Sequence, residues 1–171
     1  MMTRRLLLTG GGAGLAGMAI AWGWAVSRAA APQAAAQAAT VFPLTRSDED
    51  WHRLLTPDQY AVLRRSGTER PFTSPLLSEH RRGNFACAGC DLDLFPSTAK
   101  FDSGTGWPSF WAPLENAVGT EEDRSFGVVR NAVHCRRCGS HLGHVFDDGP
   151  KPTGLRYCMN GIALTFKPAT A

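Results

Sequence analysis

Five cysteines hold most of the reactive chemistry in this 171-residue sequence. Four of them form two Cys-x-x-Cys pairs, Cys87 with Cys90 and Cys135 with Cys138. Two such turns can together present four thiolates in the tetrahedral arrangement that zinc prefers. Because this set leaves no coordination position open to a substrate, we predict one structural Zn²⁺.

The same four thiols have two alternative uses, disulfide formation and a redox-active Cys-x-x-Cys pair. Disulfides are common in exported proteins, whereas the double Cys-x-x-Cys spacing is typical of zinc sites. The 44 residues between the pairs exceed the length of a single zinc ribbon. We therefore expect two separate hairpins that the metal holds together.

Cys158 is the one cysteine left over, in the segment RYCMN. On a strand, Arg156 and Asn160 would share its face, because side chains alternate between the two faces. A neighbouring cation favours the reactive thiolate, and the Asn160 amide can donate to a developing negative oxygen. We predict a nucleophile; the alternative is a small buried apolar residue.

Two histidines and a tryptophan could complete such a site. Either His141 or His144 could supply a proton near neutral pH. His141 could instead bind the metal, but four thiolates already fill a tetrahedral site. Trp107 lies between a glycine and a proline, where its ring could form a rigid apolar wall for a small methyl group. Ordinary packing is the alternative role for Trp107.

Two short helices are predicted ahead of these residues. Ser47 precedes a run of acidic residues and the apolar pattern Trp51, Leu54, Leu55, which is typical of a helix start. The segment 56–59, Thr-Pro-Asp-Gln, is a capping box with proline at the first helical position, and Gly67 marks the end of that second helix.

From residue 72 onward, short runs rich in Val, Phe and Trp alternate with Gly, Pro, Asn and Asp, which indicates an antiparallel β domain with long loops. The predicted strands are Asn84–Ala86, Phe110–Pro113, Phe126–Asn131, Ala132–Cys135, His144–Phe146, Arg156–Asn160 and Ala163–Phe166.

The first 39 residues read as a targeting segment. Arg4 and Arg5 precede 22 uncharged, glycine-rich residues, then Arg28 and an alanine-rich stretch with Ala-x-Ala sites. This resembles a twin-arginine (Tat) signal peptide, so we expect the Tat machinery to export a domain of residues 40–171 to the periplasm. If the signal is not cleaved, its apolar stretch could tether the domain to the inner membrane.

The charge of the predicted domain excludes one class of partner. All 15 acidic residues but only 15 of the 18 basic residues lie within residues 40–171, so this stretch carries no formal net charge. A neutral body gives no electrostatic basis for binding nucleic acid or an anionic membrane. We expect neither partner.

Four segments together resemble the methionine-R-sulfoxide reductase B (MsrB) family: GTERPF (67–72), CAGC (87–90), KFDSGTGWPSF (100–110) and CRRCGSHLGHVFDDGPKPTGLRYCMN (135–160). The resemblance covers nearly all of residues 46–166 in the family's order. It implies a mainly β fold of two antiparallel sheets, called a β-tent, with short N-terminal helices and a structural zinc. It also implies reduction of the R epimer of methionine sulfoxide in oxidised peptides and proteins.

The resemblance also implies roles for individual residues. Cys158 corresponds to the catalytic cysteine, and active-site positions correspond to His141, His144, Asn160, Trp107, Arg156 and Asp148. We predict that the Cys158 thiolate attacks the sulfoxide, that a histidine protonates its oxygen, and that Trp107 packs on its methyl group. Asp148 and Arg156 would bias the protonation of these groups.

Thr105 departs from the pattern of many family members, which carry a second, resolving cysteine in this loop. With the other four cysteines assigned to zinc, no thiol remains for an internal disulfide. We therefore expect an external thiol or reductase to regenerate Cys158, and we expect a monomer.

Two other classes of function compete with this interpretation. A zinc-ribbon interaction module would use the two Cys-x-x-Cys turns as a scaffold and the aromatic loop around Trp107 as its surface for binding protein or nucleic acid. A non-catalytic small-ligand binder could have the same fold, since fold does not determine function. The neutral charge and the predicted export signal argue against the first as a nucleic-acid binder. The second has no need for a thiol flanked by Arg156 and Asn160.

Overall fold

The computed structural model of the protein describes residues 41–170. The predicted signal peptide, residues 1–39, lies outside the described residues. Within the described part, no helix has the length and apolar character needed to cross a membrane.

Two short helices open the described chain, as predicted. They are α1 (Asp48–Leu54) and α2 (Pro57–Arg65). The capping box of α2 is present in full: the Thr56 hydroxyl accepts from the Gln59 amide, and the Gln59 side chain accepts from the Thr56 amide. The helix ends where Ser66 adopts the left-handed conformation, with φ 54°.

Nine strands in the described residues form two antiparallel sheets. The smaller sheet has the order β2-β1-β9 and the larger has the order β3-β4-β8-β7-β6-β5. This confirms the predicted fold class. The strands are β1 (Gly83–Cys87), β2 (Asp93–Pro96), β3 (Lys100–Phe101), β4 (Ser109–Phe110), β5 (Val118–Asp123), β6 (Arg130–Cys135), β7 (His141–Phe146), β8 (Arg156–Met159) and β9 (Leu164–Pro168).

The structure corrects several strand predictions. The predicted break between the strands Phe126–Asn131 and Ala132–Cys135 is wrong. The strand β6 runs through Asn131 and Ala132 and pairs with a strand on each side. Three strands, β2, β3 and β5, were not predicted. The strand β5 reads VGTEED and forms the edge of its sheet, where side chains need not alternate between apolar and polar. The strand β8 ends at Met159, so Asn160 follows the strand.

Aromatic side chains join the two sheets. Phe95 of the smaller sheet stacks on Phe110 of the larger sheet, with ring centroids 4.5 Å apart, and Phe85 meets Phe110 edge to face at 5.0 Å. All three rings are fully buried, as is the side chain of Met159, next to Cys158. This packing supports β4 and β8, and β8 carries Cys158.

Candidate active site and metal centre

The cysteines of the two Cys-x-x-Cys turns, here called the knuckle cysteines, form one compact cluster of Cys87, Cys90, Cys135 and Cys138. Their Sγ atoms all lie within 4.8 Å of one another, with Cys87 and Cys138 at 3.8 Å and Cys90 and Cys135 at 3.5 Å. Four sulfurs at about 2.3 Å from a tetrahedral zinc would lie about 3.8 Å apart. A disulfide would need about 2.05 Å. The donor set therefore fits a metal ion and does not form disulfides.

The backbone at each knuckle explains how the cluster forms. Cys87 ends β1 of the smaller sheet and Cys135 ends β6 of the larger one, so the cluster joins the two sheets. After each pair the chain turns through a left-handed residue, Asp91 with φ 61° and Gly139 with φ 68°. A side chain at Gly139 would also collide with the Phe42 ring.

The electrostatics of the cluster favour a bound cation. Hydrogen bonding to Cys135 and Cys138, together with burial, raises the pKa of the Cys87 thiol. Four thiolates this close together would repel one another, so a bound cation would stabilise them. Cys138 Sγ also lies 3.2 Å from the Ser140 hydroxyl oxygen, which accepts a hydrogen bond from the thiol.

Cys158 occupies a central position in the larger sheet. Its strand β8 lies between β4 and β7, and the residues directly opposite Cys158 are Ser109 and His144. Directly opposed residues have neighbouring side chains on the same face. The structure therefore brings the predicted nucleophile beside His144, and Cys158 is half-buried rather than sealed in the core.

Arg156 lies near Cys158 and is fixed by Asp148. Two hydrogen bonds of 2.8 Å join its guanidinium to the Asp148 carboxylate, and the guanidinium lies over the Phe146 ring. The pKa of Arg156 is raised, chiefly by Asp148 and also by its interaction with Cys158. Arg156 can therefore stabilise a Cys158 thiolate. Asp148 contributes by holding the Arg156 guanidinium in place.

Hydroxyl groups from the loop before β4 lie close to one another and to the Cys158 thiol. Ser103 Oγ lies 2.7 Å from Ser109 Oγ and 2.8 Å from Thr105 Oγ1. Thr105 Oγ1 lies 3.7 Å from Cys158 Sγ. The loop therefore presents a hydroxyl, and no second thiol, to Cys158.

Glu69 was not predicted, yet it links Trp107 to Asn160. Its backbone carbonyl accepts from Trp107 Nε1 at 3.1 Å, and its amide donates to Asn160 Oδ1 at 2.9 Å. Its carboxylate accepts from the amides of Gly161 and Ile162. The only local signal for this residue is its place in the segment GTERPF.

The Asn160 side chain is buried and oriented by the backbone. Its Nδ2 donates to the Leu142 carbonyl at 3.0 Å, and its Oδ1 accepts from Glu69. One Nδ2 hydrogen remains for another acceptor, because an amide nitrogen carries two hydrogens. Asn160 can therefore offer at most one donor to a bound molecule.

His141 and His144 differ in environment. His141 is buried, and its Nε2 finds no hydrogen-bond partner in residues 41–170. Burial, with a contribution from the nearby His144 ring, lowers the pKa of His141 to about 4. A ring that is neutral at pH 7 is a poor proton source, which favours His144 as the acid.

The buried His141 should make stability depend on pH. Between its unfolded pKa of about 6.5 and its folded pKa of about 4, the unfolded chain binds a proton that the folded protein does not. Stability should therefore fall as the pH falls through this window, by up to about 3 kcal/mol from His141. Urea unfolding at several pH values should show a shallower fall in His141→Gln.

His52→Gln is the matched control, because His52 is more than half exposed on α1. The unfolding free energy of this variant should fall with decreasing pH as steeply as that of the wild-type protein. Equal slopes for the wild-type protein and His141→Gln would contradict the assignment.

Asp123 is the second residue that was not predicted. Its Oδ2 lies 2.8 Å from His144 Nε2, and both side chains are largely buried. Because β5 was not predicted, nothing in the sequence placed Asp123 near His144. The side chains assembled around Cys158 can therefore stabilise a thiolate and deliver a proton beside it, which is the chemistry of a thiol-dependent reduction.

Comparison with known proteins agrees with this arrangement. The SelR domain family matches residues 55–168. Relatives named peptide methionine sulfoxide reductase MsrB include one from Pseudomonas putida, 56% identical over 121 residues that cover 70% of this chain and 91% of the relative. One from Leifsonia xyli is 55% identical over 129 residues, 74% of this chain and 93% of the relative. A relative from Methanosarcina barkeri is 53% identical over 123 residues, which cover 71% of this chain and 87% of the relative. The chain thus belongs to the MsrB family of methionine sulfoxide reductases, the family of the SelR domain.

Proposed function

We propose that this protein reduces the R epimer of methionine sulfoxide in peptides and proteins, with Cys158 as its nucleophile. The observation that carries the proposal is the register of β8 and β7, which sets Cys158 directly opposite His144. The family membership supports the substrate class, and the choice of the R epimer follows the resemblance to MsrB.

The proposed reaction transfers an oxygen atom from one sulfur to another. The Cys158 thiolate attacks the sulfoxide sulfur while His144 donates a proton to the sulfoxide oxygen. The attack joins the Cys158 sulfur to the substrate sulfur. This sulfur–sulfur bond and the substrate's sulfur–oxygen bond then break as the hydroxyl moves to Cys158, and methionine leaves. The methionine sulfur gains two electrons, and Cys158 loses two and becomes a sulfenic acid.

Three residues would hold the substrate and the thiolate. Trp107, anchored by Glu69, offers its ring to the sulfoxide methyl group. The remaining amide hydrogen of Asn160 can orient the sulfoxide oxygen or a water. Arg156 favours the thiolate, and Asp148 holds Arg156 in place.

We propose that an external thiol or reductase regenerates Cys158. The other four cysteines belong to the metal cluster, and Thr105 Oγ1 occupies the nearest loop position at 3.7 Å. We assign Zn²⁺ to that cluster, where it would hold the two sheets together and take no part in the oxygen transfer.

Mass spectrometry after one turnover without reductant tests the single-cysteine cycle. The wild-type protein should carry an oxidised Cys158 and no disulfide. In the variant Thr105→Cys, the introduced thiol faces Cys158 and should trap it as an internal disulfide. A wild-type disulfide between Cys158 and a knuckle cysteine would contradict the proposal.

We also propose that residues 1–39 direct Tat-dependent export to the periplasm, with the domain acting as a monomer there. The paired arginines, the weak apolar stretch and the alanine-rich region support this proposal. Cell fractionation should find the protein in the periplasm or on the inner membrane. Replacing both Arg4 and Arg5 by lysine should retain it in the cytoplasm, and unchanged export would exclude the twin-arginine route.

A further inference from the structure

Two strands of the larger sheet and the turn after β5 hold Asp123 in a fixed position. Asp123 of β5 and Arg130 of β6 are the last residue pair of their ladder, and Arg130 donates to Asp123 Oδ2 at 2.7 Å. The Ser125 amide donates to Asp123 Oδ1 at 2.8 Å, which closes the turn after β5. The carboxylate is therefore held independently of His144.

The strand register brings this carboxylate to His144. Ala132 of β6 lies opposite His144 on one side and opposite Glu121 on the other, so these three residues share a face of the sheet. Asp123 is two residues beyond Glu121 and so lies on the same face. Because Ala132 has only a methyl group, little side chain separates the His144 ring from β5.

Asp123 stays charged in the pH range where the protein would act. Hydrogen bonds from the Ser125 hydroxyl and amide and from His144 hold the pKa of the Asp123 carboxyl well below its usual range. The carboxylate therefore accepts, and His144 Nε2 donates. The titratable and charged groups around His144 are Asp123, Arg130, His141, Cys158 and Arg156.

We propose that Asp123 is a positioning residue for sulfoxide reduction: its carboxylate fixes the orientation and tautomer of His144, the ring that donates to the sulfoxide oxygen. This inference rests on the proposed function, because it assigns a partner to the acid of that reaction. A carboxylate on one ring nitrogen generally has this effect on the other.

The variant Asp123→Asn isolates the charge. Its Oδ1 can still accept from the Ser125 amide, but its Nδ2 hydrogens would face the donors of His144 and Arg130. The single-turnover rate constant for an R-sulfoxide peptide should fall about 10- to 100-fold at pH 7. The affinity for the substrate should be almost unchanged.

Two matched variants complete the experiment. Glu121→Gln removes the same charge from the same face of β5 at an exposed position, and it should behave like the wild-type protein. Asp123→Glu keeps the charge and should recover part of the rate. An unchanged rate in Asp123→Asn, or an equal loss of rate in Glu121→Gln, would overturn the inference.

Nitrogen NMR of His144 separates this inference from the proposed function. The wild-type protein should show a protonated Nε2 with a slowly exchanging hydrogen, and Asp123→Asn should lose that signal. The inference fails if both proteins give the same His144 spectrum. The proposed function fails separately if the wild-type protein leaves the R-sulfoxide peptide unreduced while the NMR difference is present.

Discussion

Replacing Cys158 by serine should lower the rate of methionine sulfoxide reduction by more than about 10³-fold. The serine hydroxyl has a similar shape, but at neutral pH it supplies neither a soft nucleophile nor a sulfur atom that can accept the oxygen. The measurement is turnover of separated R- and S-sulfoxide peptides with dithiothreitol. The wild-type protein should reduce only the R peptide, and Cys158→Ser should reduce neither.

The same variant should keep its metal and its fold. Cys158 lies outside the four-sulfur cluster, so one zinc per chain and an unchanged unfolding curve are expected. This control distinguishes a lost nucleophile from a lost structure. Retention of more than about a tenth of the wild-type rate would assign the chemistry to another residue.

Removing the metal should have the largest effect on stability. The cluster joins β1 of one sheet to β6 of the other, and folding energy from a structural zinc reaches about 10 kcal/mol in small domains. Cys135→Ser should therefore lose bound zinc and more than about 5 kcal/mol of unfolding free energy, much of the stability of an ordinary domain. Metal analysis and urea unfolding measure the two losses.

Cys158→Ser is the matched control here too, because it removes one thiol and leaves the cluster complete. Chelation of the wild-type protein should reproduce the effect of Cys135→Ser. A purified wild-type protein with no zinc and two disulfides would exclude the structural metal.

The candidate site residues could be named from the sequence because their signals are local. Each Cys-x-x-Cys pair lies within four residues, and the flanks of Cys158 lie within two. The histidines share a short segment with them. Residues this close in sequence stay close together in any arrangement of the strands.

The supporting residues could not be predicted, because their contacts are distant in sequence. Glu69 and Asn160 are 91 residues apart, and Asp123 and His144 are 21 residues apart. Asp123 also lies on β5, whose acidic sequence lacks the alternation that marks a half-buried strand. A strand was predicted to end at Asn131, yet this residue pairs with Glu122 and Val145 inside the continuous strand β6.

Met159, directly beside Cys158, is the only methionine in residues 41–170, and no part of its side chain is exposed. Oxidants in solution reach a thioether only where it is accessible. While it is folded, the domain therefore presents no methionine of its own to the damage that its family reverses. Residues 41–170 of the folded enzyme therefore offer no methionine that would compete with oxidised substrates for repair.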